Sequence, residues 1–565
     1  MNGARLGVSL LAGLALLIAM PAGCGAPQSP PASGAGTPAS PLHARAASPV
    51  FRDRAAAAGI HFVPERGRKP PFDILQTAGF GGGFLDYDGD GRADLLLVGR
   101  PRCALYRNLG DGRFVETTVA AGLDLPGYWM GCASADYDGD GRPDLFLSGY
   151  RTAALFHNED SRFRRVPLPF PTDAWGTSAA FLDYDLDGRP DLYVGCYLQF
   201  GTTTPRLCTY AGVQAACSPS HYDAQRGHLY RNEGSGGFRD VTAAAGLDRS
   251  HGKTLGVAVC DFNDDGKPDL YLANDGMPGD LFVNEGGKFR EQGLEAGVAF
   301  SQTGLEQAGM GVDWCDVNED GFPDLIVTTF QHEPTSLYLN QGRGYFQESA
   351  YPLGIGSSTT EKLGFGARFL DADNDGRPDL LIANGHVQDA ISRMQPGVSY
   401  AQPIQLFRND GRRFEEVTGP NSADLIRPLV GRAVALADYD DDGHVDALVT
   451  DLEGPPRLLH NETPGPGHWV RIRLAGTAPA AEGIGARLTF RVGARRLVRW
   501  AGTGGGYLST SDPRIHLGLG AARQVDSLQV RWPNGMTQEL LRLEADREHL
   551  VRQAGAGKEP PPRKE

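Results

Sequence analysis

The sequence predicts an all-β protein: a seven-bladed β-propeller followed by a small β-sandwich-like domain. Three observations carry this prediction. A nine-residue aspartate-rich motif recurs seven times along the chain. Each copy sits in the same frame of short apolar runs and glycine turns, the pattern of β-strands joined by hairpins. The strand that the last copy lacks has a counterpart ahead of the first.

Residues 1–24 run from a basic start at Arg5 through the apolar stretch Leu6 to Met20 into Pro21-Ala22-Gly23-Cys24. That stretch is too short to span a bilayer comfortably and reads as an export signal. Its end resembles a bacterial lipobox, which implies lipidation of Cys24. Ala22 and Gly23 fit the pattern and Pro21 departs from the usual leucine, so ordinary cleavage nearby stays open. Residues 25–48, mostly Pro, Ala, Gly and Ser, read as a flexible tether.

The propeller is expected over 49–465. Its motif is Asp-x-Asp/Asn-x-Asp-Gly-x-x-Asp. The first three copies are Asp86, Asp88, Asp90 and Asp94; Asp136, Asp138, Asp140 and Asp144; and Asp183, Asp185, Asp187 and Asp191. The fourth and fifth are Asp261, Asn263, Asp265 and Asp269, and Asp316, Asn318, Asp320 and Asp324. The last two are Asp371, Asp373, Asp375 and Asp379, and Asp438, Asp440, Asp442 and Asp446. An apolar run follows each loop, as in Leu95-Leu96-Leu97-Val98, and then Leu-apolar-x-Asn, as in Leu105-Tyr106-Arg107-Asn108. A glycine turn and a phenylalanine strand complete four strands per repeat, the make-up of a propeller blade. The seventh repeat stops at Leu458-Leu459-His460-Asn461 without its phenylalanine strand. Phe51-Arg52-Asp53 matches Phe238-Arg239-Asp240 and is expected to close the ring. Long spacings after the third and sixth loops mark insertions at roughly 197–227 and 385–402.

Carboxylates at positions 1, 3 and 5 with a backbone carbonyl at 7 surround one cation with hard oxygens, and glycine at 6 permits the bend. A helix–loop–helix calcium site would need glutamate at position 12, which here is Leu97, Leu147, Val194, Leu272, Val327, Ile382 or Val449. The ninth-position aspartate therefore supplies the further carboxylate, and a strand follows. Magnesium favours small octahedral sites that keep water, so calcium is the expected ion, in up to seven sites. That many divalent ions would bring the formal net charge of −15 close to neutral.

These repeats resemble the FG-GAP or VCBS type of integrin α-subunit propellers and bacterial calcium-binding repeats. Gly483-Ile484-Gly485-Ala486-Arg487, Gly504-Gly505-Gly506-Tyr507-Leu508-Ser509 and Val530-Arg531-Trp532-Pro533-Asn534-Gly535 resemble the ASPIC/UnbV domain. The pairing of the two is similar to bacterial homologues of cartilage acidic protein. The resemblance implies calcium binding and an extracellular interaction role, with no established catalysis.

Read on its own pattern, 466–552 forms a separate β unit. Trp469-Val470-Arg471-Ile472 and Leu528-Gln529-Val530-Arg531 alternate as half-buried strands do. Arg487, Arg496, Arg499 and Arg514 form either a basic ligand-binding face or a salt-bridged one. Residues 553–565 read as a disordered tail. Cys208 and Cys217, close together in the blade 3 insertion, are the expected disulfide, while Cys260 and Cys315 read as small core residues.

The acidic balance argues against nucleic acid as a partner. No segment after the leader is apolar enough to span a membrane, leaving a lipid anchor as the only membrane link. The run Gly79-Phe80-Gly81-Gly82-Gly83 leads into a strand and is no nucleotide loop. His386 reads as structural. Two functions remain: a binding module for a protein or glycan at the cell surface, or a polysaccharide lyase or hydrolase with Asp275, Asp280 and Asp389 as candidate acids. The expected location is the cell surface or outer membrane as a lipoprotein, otherwise the periplasm or the medium.

Overall fold

The same hairpin closes every repeat. The computed structural model describes residues 48–555 apart from 68, 202, 236, 420, 421, 466 and 478–481. In blade 1, Gly82–Leu85, Asp94–Leu97, Ala104–Asn108 and Phe114–Glu116 lie side by side in that order. Leu85 is opposite Asp94, so the ninth-position aspartate opens the second strand and residues 86–93 form the connecting loop. The two inner strands are buried along their whole length, which explains why their apolar runs do not alternate.

Among the described residues, seven sheets share this four-strand path, those of blades 1 and 4 with a fifth strand added, Ser509–Thr510 and Gln307–Ala308. Their first strands are Gly82–Leu85, Trp129–Ala135, Gly176–Leu182, Thr254–Cys260, Val312–Cys315, Gly364–Leu370 and Gly431–Ala437. Each touches the next, and the last touches the first. Phe51–Asp53 pairs with Arg457–Asn461 as the outer strand of blade 7, with Phe51 opposite Asn461. The leader, Cys24 and nearly all of the tether lie outside the described residues.

The C-terminal region is a sandwich. One sheet places His468–Ala475 between Ile515–Gly520 and Arg547–Arg552. The other runs Arg495–Trp500, Arg487–Val492, Gln524–Arg531 and Thr537–Glu544. Val470, Leu488, Phe490, Leu517, Leu528 and Trp532 fill the core between them. The fold reaches past the expected start of the tail: Gln553 is buried and accepts a hydrogen bond from Thr477 Oγ1 at 2.9 Å.

The C-terminal region has its own core but is not confined to the sandwich. Its segment 501–513 leaves the sandwich and runs into the centre of the propeller. Ser509–Thr510 pairs in parallel with the first strand of blade 1, Gly82 opposite Ser509. Leu508 lies beside Gly131 of blade 2, and Thr503 Oγ1 donates to Phe181 O of blade 3 at 2.7 Å. Gly505 N donates to Val257 O of blade 4, Gly506 N to Val312 O of blade 5, and Arg368 of blade 6 to Gly504 O. Ser509 Oγ donates to Val434 O of blade 7 at 2.8 Å. One strand of chain thus touches all seven blades at the axis. Glycine makes the approach possible: a Cβ on Gly81 would fall 1.8 Å from Leu508 O, and one on Gly83 would fall 2.3 Å from Thr510 O.

Candidate metal centres

Each loop is shaped by its own carboxylates. Asp86 Oδ2 accepts from Gly91 N at 2.9 Å, Asp88 Oδ1 from Asp90 N at 3.2 Å, and Asp90 Oδ1 from Arg92 N at 3.0 Å. Gly91 takes φ of 88°, the left-handed bend that glycine favours. The bond from the position-six glycine to the first aspartate recurs at Gly141, Gly188, Gly266, Gly321, Gly376 and Gly443. Oxygens of Asp86, Asp88 and Asp90 converge within 4.8 Å of one another, as do those of Asp136, Asp138 and Asp144, and of Asp183, Asp185 and Asp191. Asn263 and Asn318 stand in for the third-position carboxylate, and their Oδ1 atoms accept from Asp265 N and Asp320 N, both at 3.0 Å.

The ninth aspartate has a second task that sequence reading missed. Asp94 Oδ1 accepts from Asn108 N at 2.7 Å, and Asn108 Nδ2 donates to Tyr439 O of the neighbouring blade at 2.7 Å. The same staple joins Asn158 to Tyr87 O, Asn232 to Tyr137 O, Asn284 to Tyr184 O and Asn340 to Phe262 O. Asn409 to Val317 O and Asn461 to Ala372 O complete the circle. Every aspartate loop is therefore wired to the next. Asn284→Ala leaves Tyr184 O and Pro268 O buried without their donor and is expected to cost about 2 kcal/mol in urea unfolding.

The electrostatics show what the loops lack. Buried oxygens normally have hydrogen-bond partners, yet Asp86 Oδ1, Asp185 Oδ1, both oxygens of Asp373, Asp438 Oδ1 and Asp440 Oδ1 have no protein donor. Burial pushes Asp144 and Asp191 up to about 9, Asp438 to about 8, and Asp371 and Asp446 to about 7. For Asp136, up to about 8, burial is joined by the nearby Glu482 carboxylate. An all-oxygen, negatively charged donor set of this kind fits a hard cation.

A pH dependence follows. Each raised carboxylate holds its proton in the folded chain over a range where the unfolded chain has already released it, so metal-free stability falls as pH rises from about 4 toward 8. Melting in excess chelator is expected to occur at higher temperature at pH 5 than at pH 8. A higher midpoint at pH 8 would contradict the raised values.

The C-terminal arginines do not form an open ligand face. Arg514 donates to Gly91 O, Arg487 to Gly321 O and Arg499 to Gly376 O, the carbonyls of position-six glycines. Arg496 comes close to Gly321 as well. Arg471 bonds Asp438 and Asp441, Arg531 bonds Asp261, and Glu482 accepts from Asp136 N. The sandwich is a cap seated on the rim that carries the loops.

The candidate acids lie elsewhere; Asp275 and Asp280 are engaged within the fold, whereas Asp389 Oδ1 is buried without a protein donor. Asp275, pushed up to about 6 by burial, accepts a hydrogen bond from Tyr197 Oη. Asp280 is buried and holds His251 N and Asn274 Nδ2. Asp389 lies in the second insertion. Burial lowers His386 to about 4, and its Nδ1 accepts from Gln388 N at 3.0 Å. Cys208 and Cys217 are bonded at 2.08 Å, and Cys103, Cys132, Cys196, Cys260 and Cys315 are buried thiols.

Fold and site together define an aspartate-loop β-propeller capped on its loop-bearing rim by a β-sandwich. Comparison with known proteins narrows this. The FG-GAP-like repeat model matches residues 86–147, 136–194, 216–272, 261–327 and 316–382, and the ASPIC and UnbV model matches 476–558. Cartilage acidic protein 1 of Homo sapiens is 27% identical over 330 residues, covering 56% of this chain and 45% of that protein. Integrin alpha-6 of Gallus gallus is 27% identical over 197 residues, covering 32% of this chain and 16% of its own length. A solved Agrocybe aegerita lectin aligns at TM-score 0.39 and 18% identity, over 66% of this chain and 85% of its own. The chain carries FG-GAP-like repeats followed by an ASPIC and UnbV domain, and is homologous to cartilage acidic protein 1. Its matched region spans less than half the length of that relative.

Proposed function

We propose that this protein is an exported binding module, stabilised by calcium, that holds a protein or glycan at the cell surface on the rim opposite its cap. One observation carries the reading: donorless buried aspartate oxygens cluster on the rim that the cap already covers. Asp389 Oδ1, in the second insertion, is the one donorless aspartate oxygen among the described residues that lies away from these loops. Cations seated in the loops serve the fold, and the covered rim is not the one that meets a ligand. Loops rich in carboxylates suit calcium better than magnesium.

The opposite rim is built up by the two insertions. Gln388 Nε2 of the second donates to Ala216 O of the first at 2.9 Å. Arg206 of the first reaches Asp73 of the N-terminal segment at 2.7 Å. A composite surface of this kind, pinned by the Cys208–Cys217 bond, suits recognition. The leader, the disulfide and the similarity to cartilage acidic protein and integrin favour a place outside the cell. Among the described residues, no helix is long and apolar enough to cross a membrane.

A screen of immobilised surface glycans and proteins tests the reading. Retention is expected without release of reducing ends or unsaturated products. Replacing the tip residues 211–214 by Gly-Ser, which keeps the Cys208–Cys217 bond and buried Ala215 and Ala216, should abolish retention while leaving the melting temperature unchanged. Turnover of a polysaccharide would overturn it in favour of an enzyme.

A further inference from the structure

The residue between the aromatic or apolar position and the staple asparagine differs among blades, and the difference follows the loop. In blade 1 it is Arg107, which bridges Asp88 at 2.5 Å and Asp90 at 3.2 Å. In blade 3 it is Arg231, which bridges Asp185 at 2.6 Å and Asp187 at 2.9 Å. His157 in blade 2 lies 3.2 Å from both Asp138 and Asp144. His460 in blade 7 lies 3.6 Å from Asp440 and 3.2 Å from Asp446. In blade 6 the position is Arg408. In blades 4 and 5 the position is apolar, Val283 and Leu339. Those are the two loops with asparagine, Asn263 and Asn318, in place of the third-position aspartate.

Base and acid thus appear together and disappear together. At the motif positions alone, four carboxylates with one guanidinium carry the same formal charge as three carboxylates with an amide, although Asp264 and Glu319 add an acid between motif positions in the two asparagine loops. A cation belongs between two loop carboxylates, and that is where Arg107 and Arg231 lie. Other basic groups near these cages are placed differently. Lys267 touches Asp265, and Arg531 of the cap spans Asp261 and the adjacent Asp264, only the first of which is a motif position.

We infer that Arg107, His157, Arg231, Arg408 and His460 are internal substitutes for the metal, so that the seven cages fall into two classes. The loops at 261 and 316, with no base of their own blade between two motif carboxylates, hold calcium continuously. The other five exchange calcium for their own basic side chain and fill at higher calcium concentration. The inference rests on the calcium reading above and gives it a regulatory consequence: calcium level sets how firmly the five responsive loops are held under the cap.

The test is calcium titration of the full chain after chelator stripping, by equilibrium dialysis with metal analysis. Two tight and five weaker sites are expected. Arg231→Val should tighten one weak site by about tenfold, the worth of one charge-assisted hydrogen bond. Leu339→Arg should convert one tight site into a weak one. The two substitutions act in opposite directions, so a general loss of folding cannot mimic both. Seven equivalent sites, or affinities that neither variant moves in its stated direction, would overturn the two classes and leave calcium binding standing. No bound calcium at all would overturn the underlying reading instead.

Discussion

Stripping divalent cations with EDTA will lower the unfolding temperature by about 10 °C or more. At roughly 1 mM calcium and a dissociation constant of about 10⁻⁴ M, each cage adds about 1.4 kcal/mol. Seven cages together contribute on the order of 10 kcal/mol, as large as the whole margin of a typical domain. The effect is amplified by connectivity. A cage that loses its cation and has no base to replace it leaves mutually repelling carboxylates, as at Asp316, Asp320 and Asp324, and the ninth aspartate of the same loop anchors the staple to the next blade. Loss at one loop therefore loosens an inter-blade contact. Calcium should restore the transition fully and magnesium only in part. A melting curve unmoved by chelation would remove the structural role of the metal.

Gly81→Val will destabilise the protein by about 4 kcal/mol or more, in the range reserved for forced backbone displacement. Its Cβ would meet the carbonyl of Leu508, and neither backbone has a flexible end to give way. Relief requires the axial segment to withdraw, which takes Tyr507 out of the core and breaks its bond to Ala78 O. Limited proteolysis should then cut within 505–510, which is buried throughout in the parent chain. Gly112→Val is the control, because a side chain there meets nothing within 4 Å; its positive φ should cost only about 1 kcal/mol. Equal protease resistance in Gly81→Val and the parent would show that the segment is not seated at the axis.

Much of the architecture was legible because it repeats. Asp94 and its six counterparts mark loop ends, Leu95–Val98 marks a buried strand, and Phe51–Asp53 is recognisable as a displaced copy of Phe238–Asp240. Local spacing also suffices for Cys208 and Cys217. What stayed hidden involves partners far apart in the chain. Gly504 to Thr510 has no period, and its contacts are with Gly82, Val257, Val312 and Val434, residues far upstream. Asn108 was visible as a recurring asparagine, yet its acceptor is a backbone carbonyl in another blade. Arg487, Arg499 and Arg514 showed their charge but not their targets, which are carbonyls of loop glycines. A side chain that seeks a main-chain oxygen leaves no complementary letter in the sequence to reveal it.

The cages as cation holders are the claim on which the rest depends. Equilibrium dialysis against roughly 5 mM radioactive calcium, well above the expected dissociation constant, measures it directly. The account predicts close to seven ions retained per chain, one for each aspartate loop. Retention no greater than that of the buffer compartment would contradict it.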